Sequence, residues 1–396
     1  MTMPAFPPDP ATTLPADGTD GALVGRVWRP DLGGPSVVAV RPDGVVDITA
    51  ACPTVRDLCE QPDPTSALRS PAGERLGDVA DLLANTPVET RDPARPWLLA
   101  PVDLQVVKAA GVTFAVSMLE RVIEERTRGD AAGAAGVRAE IAALLGGDRT
   151  FADLRPGSPE ADAVRKVLID QGIWSQYLEV GIGPDAEIFT KAPVLSAVGT
   201  ATDAGVHADS RWNNPEPEVV LAIASTGRIV GATLGNDVNL RDVEGRSALL
   251  LPKAKDNNAS AALGPFLRLF DAAFTLDDVR AATVSLTVDG TDGYHLDGTS
   301  SMAEISRDPE DLVAQLVGPH HQYPDGAVLY LGTMFAPIED RDAAGQGFTH
   351  HVDDIVTVAT PRLGALVNRV RTSDTCEPWT FGTADLFRNL AARGVL

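Results

Sequence analysis

The chain has 396 residues, 44% of them hydrophobic and 22% charged, with a formal net charge of −22. That is enough chain for one large or two ordinary soluble domains with a sizeable core. So acidic a chain, with no basic run, excludes nucleic-acid backbones and anionic membrane surfaces as general partners, and it makes a local cation necessary wherever an anionic substrate binds. Residues 1–20 are rich in Pro and Asp and are expected to form a disordered tail. They carry neither a positive n-region nor an apolar core, and no apolar run reaches the roughly 18 to 20 residues that span a bilayer, so a cytoplasmic location is expected. From Ala22 the runs LVGRVW, SVVAVR and VVDIT, broken by Pro30, Gly33-Gly34 and Asp43-Gly44, read as strands of a small β-rich N-terminal domain. Thr54 caps a short helix, and a Pro-rich connection with a helical patch near Leu76–Leu83 leads to residue 97, giving a domain and connection over 21–97.

A second domain is expected over 98–396. WLLAPVDLQVVKAAGVTF reads as extended buried chain, followed by the amphipathic helix VSMLERVIEERTRGD. On that helix Arg121 can pair with Glu125, and Glu124 with Arg128, at i,i+4. Glu120 has no local cation there, the setting in which a carboxyl pKa rises and acid or base work becomes possible; the alternative is a tertiary Lys or Arg that satisfies it. An Ala-rich helical insertion is expected at about 130–180, with Ser158 as N-cap and Pro159 at N1 of one helix. The remainder is β-rich, with a helix capped by Asp308 and a terminal helix near Ala384–Arg393.

The stretch RWNNPEPEVVLAIASTGRIVGATLGND, from Arg211 to Asp237, contains two strand-like runs around the polar turn Ser225-Thr226-Gly227. With Thr226-Gly227 as a two-residue loop, the ladder places Glu216 opposite Asp237 and Glu218 opposite Gly235. Glu216 and Glu218 then share a face about 7 Å apart, and a cross-strand partner lies roughly 5 Å away. Three carboxylates that close repel one another unless a cation lies among them, and an all-oxygen set suits Mg2+, Mn2+ or Ca2+. The alternative is a solvated strand end whose acids pair with Arg211 and Arg241. A change of one residue in the turn would move Asp237 to the other face.

Downstream, Arg241, Lys253 and Lys255 lie in an irregular Asn-rich run, and a lysine near a metal can polarise a carbonyl or act as a base. The pairs His320-His321 and His350-His351 lack metal-ligand spacing. Cys52, Cys59 and Cys376 are too few and wrongly spaced for a disulfide framework or a zinc site, so buried thiols are expected. No P-loop, dinucleotide fingerprint or G-x-S-x-G occurs.

Glu216-Pro217-Glu218 with its strand, Gly235-Asn236-Asp237-Val238, Arg241-Asp242, Lys253-x-x-Asp256 before Gly264-Pro265, Thr299 to Met302, Gly332-Thr333 and LGALVNRV from Leu363 together resemble the fumarylacetoacetate hydrolase superfamily over about residues 98–375. The resemblance implies an α+β fold, a mixed β-roll catalytic domain behind a smaller N-terminal one. It further implies a divalent metal on Glu216, Glu218 and Asp237, small-molecule 2-oxo acid substrates and a homodimer or homotetramer. One departure stands out. The family's hydrolases carry G-x-N-Y-x-x-H-x-x-E, whereas this chain has Gly111-Val-Thr-Phe114-Ala-Val-Ser117-Met-Leu-Glu120, and a serine does not take a proton near neutral pH. In this it is similar to the 2-keto-3-deoxy-pentonate dehydratases, which make 2,5-dioxopentanoate. That resemblance assigns Lys253 to polarising the 2-oxo group, Glu120 with Ser117 to proton transfer, and Arg241, Thr333, Phe114 and Thr299 to substrate contacts. The competing expectations are a hydrolase of a 2,4-dioxo acid and a non-catalytic oxo-acid binding protein.

Overall fold

In a computed structural model of the chain, residues 3–145, 154–170, 172, 174–335, 337 and 339–396 are described; part of the expected insertion, at 146–153, 171 and 173, lies outside them. The β-branched runs near the N-terminus form strands β1 (Leu23–Arg29), β2 (Gly34–Arg41), β3 (Gly44–Asp47) and β4 (Arg75–Gly77). They are followed by β5 (Trp97–Leu99), β6 (Val106–Gly111), β7 (Glu187–Ala192), β8 (Thr202–Val206) and the two-residue β9 (Asn213–Asn214). The hairpin is β10 (Pro217–Ile223) and β11 (Ile229–Asp237), and β12 (Asn239–Leu240) and β13 (Ala261–Leu269) come next. The chain ends with β14 (Thr283–Asp289), β15 (His295–Ser301), β16 (Ala327–Tyr330), β17 (Ile355–Thr360) and β18 (Gly364–Thr372).

An eleven-stranded sheet runs β4-β3-β2-β1-β13-β11-β10-β16-β6-β7, with β5 also on β1, and a five-stranded sheet runs β15-β14-β17-β18-β8. Val219, Leu221 and Ile223 of β10 pack toward the second sheet with Leu286, Val356 and Val358, whereas Val220 and Ala222 pack on the opposite face with Val107, Ala109 and Leu263. Burial on both faces explains why β10 and β13 are apolar without alternation. Helices lie outside, among them α1 (Pro10–Thr13), α2 (Ala115–Thr127), α3 (Ala134–Leu145), α4 (Pro159–Asp170) and α5 (Gln176–Ile182). No helix among the described residues is long and apolar enough to cross a membrane.

Two expectations need correction. The expected disordered tail over 1–20 is packed from residue 3 on: α1 buries Thr13 completely, Ala16 donates its N–H to Pro361 O, and the Asp17 carboxylate grips the buried Arg268. The large, fully buried Arg268 requires a carboxylate partner, and the tail supplies it. Nor do the strands within 21–97 form a sheet of their own, because Leu23 and Val24 of β1 pair with Arg268 and Leu267 of β13. A strand buried on both edges and faces needs that second neighbour for its backbone groups. The caps at Thr54, Ser158 and Asp308 are present, and all three cysteines are free and buried.

Candidate metal centre

Glu216 and Glu218 sit at the start of β10 on the face that carries Val220 and Ala222, and β11 brings Asp237 beside them. The pairing is Pro217 with Asn236 and Glu218 with Gly235, and Asp237 N donates to Glu216 O at 3.0 Å. The turn itself differs from expectation. Ala224 N donates to Arg228 O, leaving Ser225-Thr226-Gly227 as a three-residue loop with Gly227 at φ +85°, and a bulge between Ala222 and Ile223 absorbs the extra residue. Loop and bulge cancel, so the three acids still share a face. Their side chains are at most 2% exposed, and one oxygen from each lies within 4.8 Å of the others.

The partners are not Arg211 and Arg241. Lys255 Nζ lies 2.5 Å from Glu216 Oε2 and 3.0 Å from Asp237 Oδ2; Lys191 Nζ lies 2.8 Å from Asp237 Oδ1; and Arg121 of α2 bonds Glu216. Gly332 N donates to Glu218 Oε2 at 2.7 Å, and the Thr333 hydroxyl lies 3.4 Å from Oε1. Burial and the charges of Asp237 and Glu216 push the Glu218 carboxyl well above the ordinary range. Burial works on Glu216 in the same direction, but Arg121 and Lys255 outweigh it and bring its pKa down to about 2.

Further out, Arg121 also reaches Glu124 (2.8 Å) and Glu244 (3.0 Å), and Arg241 bonds Glu124 (2.6 Å) and Glu120 (2.7 Å) while stacking 4.4 Å over the Trp212 ring. Burial raises Glu244 to about 7 against the pull of Arg121 and Lys255. Glu187 of β7 lies across Gly111 of β6, so close that a Cβ there would sit 1.9 Å from its Oε2. Among the described residues its carboxyl makes no hydrogen bond or ion pair, and burial raises its pKa although Arg121 and Lys255 pull the other way. This network sets seven carboxylates (Glu120, Glu124, Glu187, Glu216, Glu218, Asp237, Glu244) against five cations (Arg121, Arg138, Lys191, Arg241, Lys255). The buried all-oxygen donor set of Glu216, Glu218 and Asp237 fits a hard divalent ion.

Several expected site residues fall elsewhere. On the short helix Leu251–Lys255, Lys253 is exposed and Lys255 is 2% exposed, because two residues along a helix turn about 200° and only one can face inward. Lys255 is also no base: burial would lower its pKa, but Asp237, Glu216 and Glu244 hold it well above the ordinary value. Glu120 receives both Arg138 (2.9 and 2.8 Å) and Arg241, so despite burial its carboxyl is held below the ordinary range, and the tertiary-cation alternative applies. Arg121 pairs with Glu124 and not Glu125, and Glu124 takes Arg241 and not Arg128. Ser117 Oγ donates to Phe114 O within its own helix at 2.9 Å, and Phe114 is part of the core between the sheets. Arg241 is fully engaged by protein groups and not open to substrate. Thr299 is exposed on the edge strand β15, opposite Ser285, away from the cluster.

Sequence reasoning missed Lys191, Arg121, Glu187 and Glu244. A signal existed for two of them: Glu187, Phe189 and Lys191 alternate along β7, so period-two counting puts both ionisable groups on one face. Arg121 and Glu244 carried no such mark, since Glu216, which draws Arg121 to the cluster, lies 95 residues away, and Glu244 pairs with that same distant Arg121.

Residues 218–371 match the family model described as fumarylacetoacetate (FAA) hydrolase C-terminal. A probable 2-keto-3-deoxyxylonate dehydratase of Haloferax volcanii is 30% identical over 196 residues, 50% of this chain and 64% of that protein. A 2-dehydro-3-deoxy-D-arabinonate dehydratase of Saccharolobus solfataricus is 28% identical over 188 residues, 47% of this chain and 58% of that protein. The match therefore spans less than two thirds of either curated relative. Among solved structures, 2-keto-3-deoxy-D-arabinonate dehydratase in its apo form superposes with a TM-score of 0.58 at 19% identity, covering 88% of this chain and 99% of that one. The same enzyme complexed with magnesium and 2,5-dioxopentanoate gives 0.56 at 19% identity, covering 88% and 99%. These likenesses show the fold, an α+β architecture of the fumarylacetoacetate hydrolase type, and they fall on the family that the sequence motifs resemble.

Proposed function

We propose that this chain is a divalent-metal-dependent dehydratase that converts a 2-keto-3-deoxy-pentonate to 2,5-dioxopentanoate. The observation that carries this reading is the buried Glu216, Glu218 and Asp237 cluster with the Lys255 ammonium against it. The relatives named for this reaction, and the neighbour that holds magnesium and 2,5-dioxopentanoate, support it. Glu216, Glu218 and Asp237 would hold a magnesium ion, which would supply Lewis-acid stabilisation of an enolate and so acidify the C3 proton. Lys255, charged throughout, donates to the 2-oxo oxygen as its charge grows. Thr333 is assigned to the substrate's carboxylate end. Among the described residues no group bonds the Glu187 carboxyl, which leaves its oxygens open to a substrate proton. As carboxylate it takes the C3 proton and returns it to the departing C4 hydroxyl, so that C4–O breaks, C3=C4 forms and water leaves. Hydrogen transfer from C5 to C3 and ketonisation then give the aldehyde at C5. Glu120, with its oxygens occupied by Arg138 and Arg241, is assigned to holding α2 over the cluster, not to proton transfer.

The same proposal extends to a cytoplasmic enzyme working as a homodimer or homotetramer, with residues 21–97 as a small N-terminal unit joined edge to edge to the catalytic 98–396. Purified protein with magnesium is expected to release water from 2-keto-3-deoxy-arabinonate or 2-keto-3-deoxy-xylonate and to leave acylpyruvates intact. Carbon–carbon cleavage of an acylpyruvate with no dehydration of either sugar acid would replace this reading with the hydrolase. Glu187→Gln is expected to stop both turnover and exchange of the C3 hydrogen with heavy water while magnesium affinity stays within about twofold; exchange at the wild-type rate would remove Glu187 from proton transfer.

A further inference from the structure

Outside the carboxylate cluster the molecule has a cavity of about 680 Å³ between the end of α2, the loop from His207 to Trp212, the helix Arg241–Glu244 and the segment around Gly347. Arg128, Arg211, Arg246 and Lys253, all exposed, line it, and among the described residues none of these side chains makes a hydrogen bond or ion pair. Elsewhere among the described Lys and Arg residues only Arg95, Arg155 and Lys166 share that condition. In a chain of net charge −22, free cations gathered on one concavity call for a cause. The backbone here is built to hold them. Gly129 and the helix meet so closely that a Cβ on Gly129 would sit 2.7 Å from Asp242 O, and one on Gly245 would sit 2.9 Å from Gly129, which fixes Arg128 and Arg246 on one rim. Arg211 is fixed by its N–H, which donates to Asp242 Oδ2 at 2.8 Å.

The carboxylates of the same wall are engaged by other groups. Asp242 takes Ser210 and Arg211 N, Asp130 takes Ala132 N, Asp342 takes His351, and Asp209 lies 3.9 Å from His207. These four acids keep their charges, but none of them pairs with Arg128, Arg211, Arg246 or Lys253, whose charged donors stay open to the cavity. Trp212 lines the same cavity at 4% exposure, and its Nε1–H, which has no partner among the described residues, is enclosed against Gly347. Free guanidinium forks and an ammonium suit a compact ligand with several acceptor oxygens and two negative charges. We infer that this cavity is a binding site for a phosphate group, free or as the end of a phosphate ester, separate from the carboxylate cluster and independent of the dehydratase reading.

Isothermal titration of the full chain at low salt with inorganic phosphate and with glycerol 3-phosphate tests this. Saturable one-to-one binding is expected, and the tighter ligand tells whether the site takes the free ion or an ester. Affinity is expected to fall at least tenfold in Arg211→Gln/Arg246→Gln, with an unchanged melting temperature, and to persist in Arg95→Gln and Glu218→Gln. No saturable heat up to about 20 mM of either ligand, full affinity in the double variant, or loss of binding in Glu218→Gln would each overturn the assignment.

Discussion

At the scale of single residues, the cluster pushes its carboxyls toward opposed protonation states. Glu216 stays ionised because Arg121 and Lys255 hold it, whereas Glu218 and Glu187 are pushed up by burial and Glu244 is raised to about 7. A group whose folded pKa is raised stabilises the fold below its unfolded value, near 4.3 for Glu, and that stability is lost as pH climbs through the folded value. Without metal the melting temperature should therefore fall from pH 6 to pH 8.5, and saturating magnesium should flatten the slope, because a dication stabilises the ionised forms. A metal-free protein whose melting temperature rises over that range would contradict this electrostatic picture. Lys255→Met should abolish turnover in magnesium and tighten magnesium binding, since it removes a competing charge from Glu216 and Asp237; calorimetry and a product assay check both.

At the scale of elements, the hairpin shows what a sequence can and cannot disclose. The cross-strand placement of Glu216, Glu218 and Asp237 was legible because side-chain alternation has a period of two. The turn was not, since a three-residue loop and a bulge one step away leave the same distal register as a two-residue loop. Gly227→Ala, at φ +85°, is expected to cost about 1 kcal/mol in urea unfolding while metal affinity stays within twofold, because the substitution changes neither the loop length nor the bulge that together set the acids' face. A loss of metal binding in that variant would mean that the loop controls register. Choosing between Lys253 and Lys255 was beyond the sequence for a related reason: a five-residue helix has too few turns to reveal its inward side. The pairing of Glu120 was equally hidden, because Arg241 lies 121 residues away in sequence.

At the scale of the whole molecule, the N-terminal strands and the hairpin that carries the carboxylate cluster belong to one continuous sheet, and residues 3–20 are part of its packing. The composition of that tail suggested disorder; what composition does not show is a buried arginine elsewhere that needs its carboxylate. Asp17→Ala should strand Arg268 and cost about 2 kcal/mol, less than a fully buried pair because Asp17 remains 31% exposed; urea unfolding with no measurable change would show the tail to be dispensable. The acidic surface and the cationic clusters are two sides of one problem, that of admitting anions to a molecule of charge −22. All of the proposed chemistry depends on one divalent ion among three acids. Crystals grown with Mn2+ should show a single anomalous peak about 2.0 to 2.6 Å from oxygens of Glu216, Glu218 and Asp237. Their absence of anomalous signal at that cluster, with Lys255 still bridging Glu216 and Asp237, would contradict the account.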